Sequence, residues 1–203
     1  MQPFTTVTGP AASLLAANVD TDVIMPKQFL KGIDRSGLGA GTFHDLRFRP
    51  DGAKRPEFVL NRPDWEGARF LVVGPNFGCG SSREHAVWGL LQLGIRALVG
   101  TTFAGIFADN AANNGLLLVG LDPERVETLA ALAAEPGCNR FTIDLPEQTI
   151  LAGDGVRIGF EIPASRKDAL VRGLDAIGTT LDHAAAIRAF ERRYHADRPW
   201  LAR

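Results

Sequence analysis

Phe70-Leu71-Val72-Val73-Gly74-Pro75-Asn76-Phe77-Gly78-Cys79-Gly80-Ser81-Ser82-Arg83-Glu84-His85 runs from an apolar tetrapeptide through a glycine-rich turn into a helix start. The tetrapeptide reads as a strand buried on both faces, the pattern of a parallel sheet covered by helices. Glycines at 74, 78 and 80 let the backbone turn tightly and approach a ligand closely. Ser81 reads as the helix N-cap with Glu84 three positions on, the capping-box spacing, and Val87, Trp88, Leu90 and Leu91 follow at helical spacing. Unpaired N–H groups and a partial positive charge at such a helix start suit a carboxylate or an alkoxide. Arg83 adds a planar fork with the geometry of a carboxylate partner.

Outward from this stretch the chain alternates: strand 69–73, helix 82–93, strand 97–100, helix 104–113, strand 116–119, helix 123–134. That order predicts an α/β fold with a parallel βαβ centre. After Pro136-Gly137, short strands are predicted at 141–144, 149–151 and 156–160, with Gly153-Asp154-Gly155 as a hairpin signal, so the mixed sheet ends in antiparallel strands. Upstream, Phe4 to Thr8 reads as an opening strand stopped by a turn at Gly9-Pro10. Residues 27–44 carry Gly32, Gly37, Gly39 and Gly41 among Phe29, Leu30, Ile33 and Leu38, the composition of a mobile lobe. Asp45 to Pro63 reads as loop with a short strand at Phe58-Val59-Leu60. A helical C-terminal extension is expected around 165–203, with Ile187, Phe190 and Tyr194 on one apolar face. The whole, 1–203, is expected to be a single domain.

The 203 residues suffice for one sizeable core, and 45% hydrophobic with 22% charged residues is an ordinary globular composition. A formal net charge of −1 gives no electrostatic reason to expect nucleic acid or an anionic membrane. Cys79 and Cys138 are too few for a disulfide framework, a structural zinc site or the thiolates of an iron–sulfur cluster, so no metal site is expected in this chain. No Lys or Arg precedes Lys27, and no apolar run approaches the ~20 residues that span a bilayer. The expected compartment is a reducing cytoplasm.

A serine hydroxyl is a poor base at neutral pH unless its alkoxide is stabilised. A helix start, glycine N–H groups and a nearby cation are all available to Ser81. The nucleophile-elbow pattern requires glycine where Glu84 follows Ser82, a dinucleotide fingerprint from Gly78 requires its third glycine where Arg83 stands, and no Walker lysine follows the turn. Cys79 reads as a small residue filling a tight turn more readily than as a nucleophile served by His85. His85 reads equally as a helix-packing residue. Asp20 and Asp22 would share a face of an extended segment, as an acid–base or metal-ligating pair, or serve as acidic turn residues. Arg192, Arg193 and Arg198 read as a solvated helix face.

Taken together, Asp20-Thr21-Asp22-Val23-Ile24-Met25-Pro26-Lys27-Gln28-Phe29-Leu30, Phe58-Val59-Leu60-Asn61 and Asn76 to Ala86 resemble the small subunits of 3-isopropylmalate dehydratase, in the aconitase superfamily. Phe103 to Phe107, Asn113 to Leu117 and Gly173 to Gly178 extend the likeness over most of the chain. The resemblance implies the swivelling β/β/α domain, the counterpart of aconitase's mobile fourth domain. It implies a hydro-lyase that isomerises 2-isopropylmalate and 3-isopropylmalate through isopropylmaleate in leucine biosynthesis. It further implies a large partner subunit that bears a [4Fe-4S] cluster, with none bound by this chain, and a small dicarboxylic acid as substrate. By motif match, Ser81 is the base and Arg83 the carboxylate clamp, with Ser82, Gly80, Thr21 and Asp22 at the substrate; Asp22 would orient a histidine of the large subunit. The 27–44 lobe falls at the family's substrate-recognition contacts, where Leu30 and Leu38 would meet an isopropyl group.

The family usually has serine at Thr102, aspartate at Gly105, cysteine or serine at Ala111 and proline at Leu118; none of these touches the Ser81 to Glu84 block. Two alternatives stay open from sequence: a paralogous subunit acting on citraconate or methylmalate, and a non-catalytic anion-binding module. An apolar pocket separates alkyl groups by only ~1–3 kcal/mol per methylene.

Overall fold

The computed structural model describes residues 1–31, 35–153 and 155–201. Residues 32–34 of the expected lobe and Asp154 of the hairpin signal lie outside the described residues.

The strands are β1 (Thr6–Leu14), β2 (Phe70–Val73), β3 (Ala97–Gly100), β4 (Leu117–Gly120), β5 (Arg140–Asp144), β6 (Thr149–Ala152) and β7 (Val156–Gly159). They form one mixed sheet in the order β4-β3-β2-β1-β5-β6-β7. β1 to β4 pair in parallel, and β1, β5, β6 and β7 pair antiparallel, so the parallel centre and antiparallel end expected from sequence are both present. The helices are α1 (Thr21–Ile24), α2 (Leu38–Gly41), α3 (His44–Arg47), α4 (Glu84–Leu93), α5 (Gly105–Asn114), α6 (Pro123–Ala134), α7 (Ala164–Arg172), α8 (Ala176–Leu181) and α9 (Ala184–Asp197).

Side chains alternate across β2. Phe70 and Val72 face a core completed by Val126, Leu129 and Ala133 of α6, while Leu71 and Val73 face one completed by Val87 and Leu90 of α4 and Phe107 of α5. Each such buried Val, Leu or Phe side chain contributes about 1.5–3 kcal/mol.

The turn expected at Gly9-Pro10 is instead interior to β1, where its pairing changes partner. Thr6 to Pro10 pair with β5, and Ala11 to Leu14 pair with β2. Proline is tolerated there because the Pro10 carbonyl accepts from Arg69 N at 2.8 Å and the chain resumes donating at Ala11, to Asn139 O at 2.7 Å. The strand expected at Phe58-Val59-Leu60 is a 3₁₀ turn, Val59–Asn61. Asn61 Nδ2 fixes it by donating to the carbonyls of Arg47 and Arg55 at 2.6 and 2.8 Å.

In the 27–44 segment, Lys27–Lys31 form a 3₁₀ turn and α2 lies against α4. Leu38 is buried in the core beside α4, whereas Leu30 is half-buried at its edge. Leu38 is thus taken up by packing and leaves Leu30 as the residue nearer solvent. At the C-terminus, Leu170 of α7 is buried and its carbonyl accepts from Phe4 N at 2.9 Å. The described residues of α8 and α9 include no buried side chain, and the apolar face expected on the last helix is open, with Phe190 56% exposed. No helix among the described residues is long and apolar enough to cross a membrane.

Candidate active site

Because β1 and β2 run in parallel, the segments leaving their carboxyl ends emerge on one edge of the sheet, where open α/β sheets place their ligands. The two segments are laced together. Asn18 N donates to Pro75 O at 2.9 Å, Gly78 N to Val19 O at 2.8 Å, and Thr21 N to Cys79 O at 2.9 Å. The segment after β3 closes the other side: Asn76 N donates to Thr102 Oγ1 at 2.8 Å and Ala104 N to Phe77 O at 3.0 Å. The Thr102 hydroxyl thus ties the turn to the segment after β3.

Two glycines make this path available. Gly78 has φ +79°, and a Cβ there would stand 2.2 Å from Cγ of the buried Phe107. Gly80 has φ +91°, with Asp20 Cβ only 3.2 Å from where its own Cβ would be.

The expected capping box does not form. The helix starts at Glu84, with Arg83 at the N-cap position and no side-chain cap. The Ser81 hydroxyl is drawn to Thr21 instead, Oγ to Oγ1 at 3.0 Å. Glu84 accepts from Asn114 Nδ2 at 2.6 Å, and the same amide's oxygen accepts from Trp88 Nε1 at 2.9 Å. Asn114 thereby fixes the first turn of α4 from α5. Its role was not legible in sequence, although Asn113-Asn114 stands within the family likeness.

Asp20 and Asp22 do not share an extended face. Asp20 caps α1, its Oδ1 accepting from Val23 N at 2.8 Å, and Asp22 lies within that helical turn. The short helix wins because an aspartate at its N-cap satisfies an otherwise orphan donor. Asp22 instead forms an ion pair with Nη1 of Arg83, and Lys27 Nζ stands 3.8 Å from its other oxygen. The Arg83 side chain is only 18% exposed and so is held in a set direction, while Asp22 at 46% keeps an open flank. Lys27 is the second cation that sequence reasoning did not single out; its place just after α1, in the Asp22-Val23-Ile24-Met25-Pro26-Lys27 run, was the available signal.

The structure therefore brings Thr21, Asp22, Gly80, Ser81, Ser82 and Arg83 into one locus. Ser81 and Ser82 are exposed. Thr21 is 1% exposed and lies behind Ser81, its hydroxyl turned to that residue rather than to solvent. Cys79 donates its thiol hydrogen to Asn18 O at 3.4 Å, and the His85 ring packs on Trp88 at 4.7 Å, both in keeping with structural roles. Among the described residues no group of three or more His, Cys, Asp or Glu is gathered to hold a metal ion. The thiolates that an iron–sulfur cluster needs are likewise not assembled: Cys79 lies in the turn, and Cys138 lies just beyond α6.

The locus lies in a region that matches the Aconitase C-terminal domain family over residues 1–124. The LeuD_N model matches residues 127–164, and the model for the C-terminal domain of the 3-isopropylmalate dehydratase small subunit matches 177–203. The 3-isopropylmalate dehydratase small subunit 1 of Mannheimia succiniciproducens is 54% identical over 201 residues, covering 99% of each chain. The small subunit 2 of Salmonella typhimurium is 51% identical over 203 residues, covering 100% of this chain and 97% of that one. The crystal structure of 3-isopropylmalate dehydratase from Methanocaldococcus jannaschii superposes with a TM-score of 0.67 at 25% identity, over 92% of this chain and 99% of that one. With its fold, its turn and its full-length relatives in agreement, this chain belongs to the family of 3-isopropylmalate dehydratase small subunits.

Proposed function

We propose that this chain is the small subunit of a hydro-lyase that interconverts 2-isopropylmalate and 3-isopropylmalate through isopropylmaleate, and that it works only with a large subunit. The observation that carries the reading is the presentation of Ser81 and Arg83 on one rigid turn, with Arg83 already oriented by Asp22. In this reading Ser81 takes the carbon-bound proton of the substrate. Arg83 keeps Nη1 on Asp22 and offers the rest of its fork to a substrate carboxylate. Ser82 and the Gly80 N–H add donors beside them, the Ser81 N–H being taken by Thr21 Oγ1 and the Arg83 N–H by Ser81 O. Asp22, with its open flank, is the natural partner for a cationic side chain of the large subunit, the role its motif implies for a histidine there.

The [4Fe-4S] cluster implied by the resemblance is assigned to the large subunit, since the thiolates of this chain are too few and too scattered to hold it. Two free cysteines suit a reducing cytoplasm. Leu30, half-buried at the rim of the 27–44 segment, is the side chain offered to the isopropyl group. The full-length likeness to relatives named for isopropylmalate favours that substrate over citraconate or methylmalate, and a catalytic subunit over an anion-binding module.

The test is co-expression with the large subunit, reconstitution of its cluster and assay of isopropylmaleate hydration. Ser81→Ala is expected to lower kcat by roughly 10²-fold or more, the scale of a lost general base, with little change in KM. Full activity of that variant would remove Ser81 from the mechanism.

A further inference from the structure

Thr21 stands against Ser81 in a way that simple packing does not require. Its Oγ1 lies 3.2 Å from Ser81 N, 3.0 Å from Ser81 O and 3.0 Å from Ser81 Oγ. A threonine hydroxyl has one proton and two lone pairs. Ser81 N–H donates to it in any arrangement. The single Thr21 proton then has two alternative acceptors on the same residue, the Ser81 carbonyl and the Ser81 hydroxyl oxygen. When Ser81 carries its proton, Ser81 donates to Thr21 and Thr21 donates to the Ser81 carbonyl, so every group is satisfied. When Ser81 is an alkoxide, rotation of the Thr21 O–H alone redirects its proton to Oγ, with no heavy atom moving.

We infer that Thr21 is a positioning residue that holds Ser81 and stabilises its alkoxide by this reorientation. The inference rests on the reading of Ser81 as the base. Two features of the site support it. Thr21 is 1% exposed, so water does not compete for its hydroxyl, and its backbone is pinned on both sides, Thr21 N on Cys79 O and Thr21 O under Met25 N, each at 2.9 Å. A β-branched side chain on a fixed backbone has a stiff χ1, which keeps the oxygen aimed. The proton balance closes over the reaction. The Thr21 proton never leaves Thr21. The Ser81 alkoxide takes the proton from the substrate carbon, the C–H electron pair forms the double bond, and the hydroxyl leaves as water on a proton donated by an acidic group of the large subunit; on rehydration that group takes the proton back from water and Ser81 returns its own to carbon.

The test uses the reconstituted two-subunit enzyme. Thr21→Val, nearly isosteric, is expected to lower kcat about 10²-fold, the scale of one lost donor to an oxyanion, with KM and calorimetric binding of 3-isopropylmalate unchanged. The acid limb of the kcat/KM profile moves to higher pH because the alkoxide is harder to form. Thr21→Ser restores most of the rate and the original limb. On a Ser81→Ala background, Thr21→Val costs nothing further, since Thr21 acts through Ser81. Should Val prevent assembly, Thr21→Ala is read the same way. A Thr21→Val enzyme with normal kcat and an unmoved pH limb, beside an inactive Ser81→Ala, overturns the inference and leaves Ser81 as base. Losses that multiply in the double variant reduce Thr21 to a structural clamp and also overturn it. A fully active Ser81→Ala enzyme overturns the underlying reading instead.

Discussion

At the scale of single residues, the turn from 74 to 83 is specified by what is missing as much as by what is present. Gly78 combines a left-handed φ of +79° with a van der Waals overlap, since a Cβ would meet the Phe107 ring at 2.2 Å. Phe107 is 2% exposed and has nowhere to swing. Gly78→Ala is therefore expected to destabilise the chain by about 2–4 kcal/mol, the sum of left-handed strain and overpacking. Gly67 separates the two contributions: its φ is +69° but nothing lies within 4 Å of a Cβ. Gly67→Ala should cost only about 1–2 kcal/mol, from strain alone. Urea unfolding of the two variants measures the difference, and equal losses would show that the Phe107 contact is absent. Across this turn Ser81 takes its direction from the buried Thr21 and Arg83 from Asp22.

Among the elements, the helices flanking the parallel strands differ in how well their starts are made. α6 opens with Asp122 accepting from Arg125 N at 3.0 Å and Pro123 in its first turn, and its range was legible in sequence to the residue. α5 opens with Ala104 and Gly105 and has no side-chain cap. A Cβ at Gly105 would meet nothing within 4 Å, and its φ lies outside the left-handed region. Gly105→Asp is thus expected to stabilise the chain by about 0.5–1.5 kcal/mol, from the lower entropy of the unfolded chain and the favourable charge at a helix start. A rise in the urea midpoint at constant slope is the reading that supports it; a fall would mean that the start of α5 is constrained by something other than its cap.

The same elements show where sequence is readable. Short apolar runs followed by amphipathic helices fix β2 through α6 because burial on both faces leaves a local signature. The start of α4 was misplaced because the capping-box spacing of Ser81 and Glu84 is local, whereas Thr21 and Asn114, which claim those side chains, are distant in sequence. Pro10 and the 58–60 segment were misread for the same reason: β5 and Arg47, their partners, lie elsewhere in the chain. The motif named the candidate residues, but the pairing of Asp22 with Arg83 was not legible, since it joins two segments that meet only through the parallel register of β1 and β2.

For the molecule as a whole, the buried core is complete without the last two helices. None of the buried core residues comes from 175–201, and Ile177, Leu181, Phe190 and Trp200 there are between 56% and 73% exposed. α7 is different: Leu170 lies in the core, Phe4 N depends on its carbonyl, and the N-terminal ammonium donates to Gly173 O at 3.0 Å, so both ends of the folded core meet at this helix. A chain ending at Leu174 keeps the closing bond of α7, Leu174 N to Ala169 O at 2.8 Å, and removes no residue of the buried core. Its unfolding free energy is expected to lie within about 1 kcal/mol of the full chain's, as for changes that touch only surface. A chain ending at Ile162 uncovers Phe4 and removes Leu170, and should lose about 3 kcal/mol or more, the scale of a large buried side chain deleted. Urea denaturation of the two truncated chains beside the full one tests the division. Similar losses from both cuts would mean that α8 and α9 support the core as α7 does. A loss confined to the shorter chain places the boundary of the folding unit at α7, with the 175–203 segment serving a purpose other than the stability of this subunit.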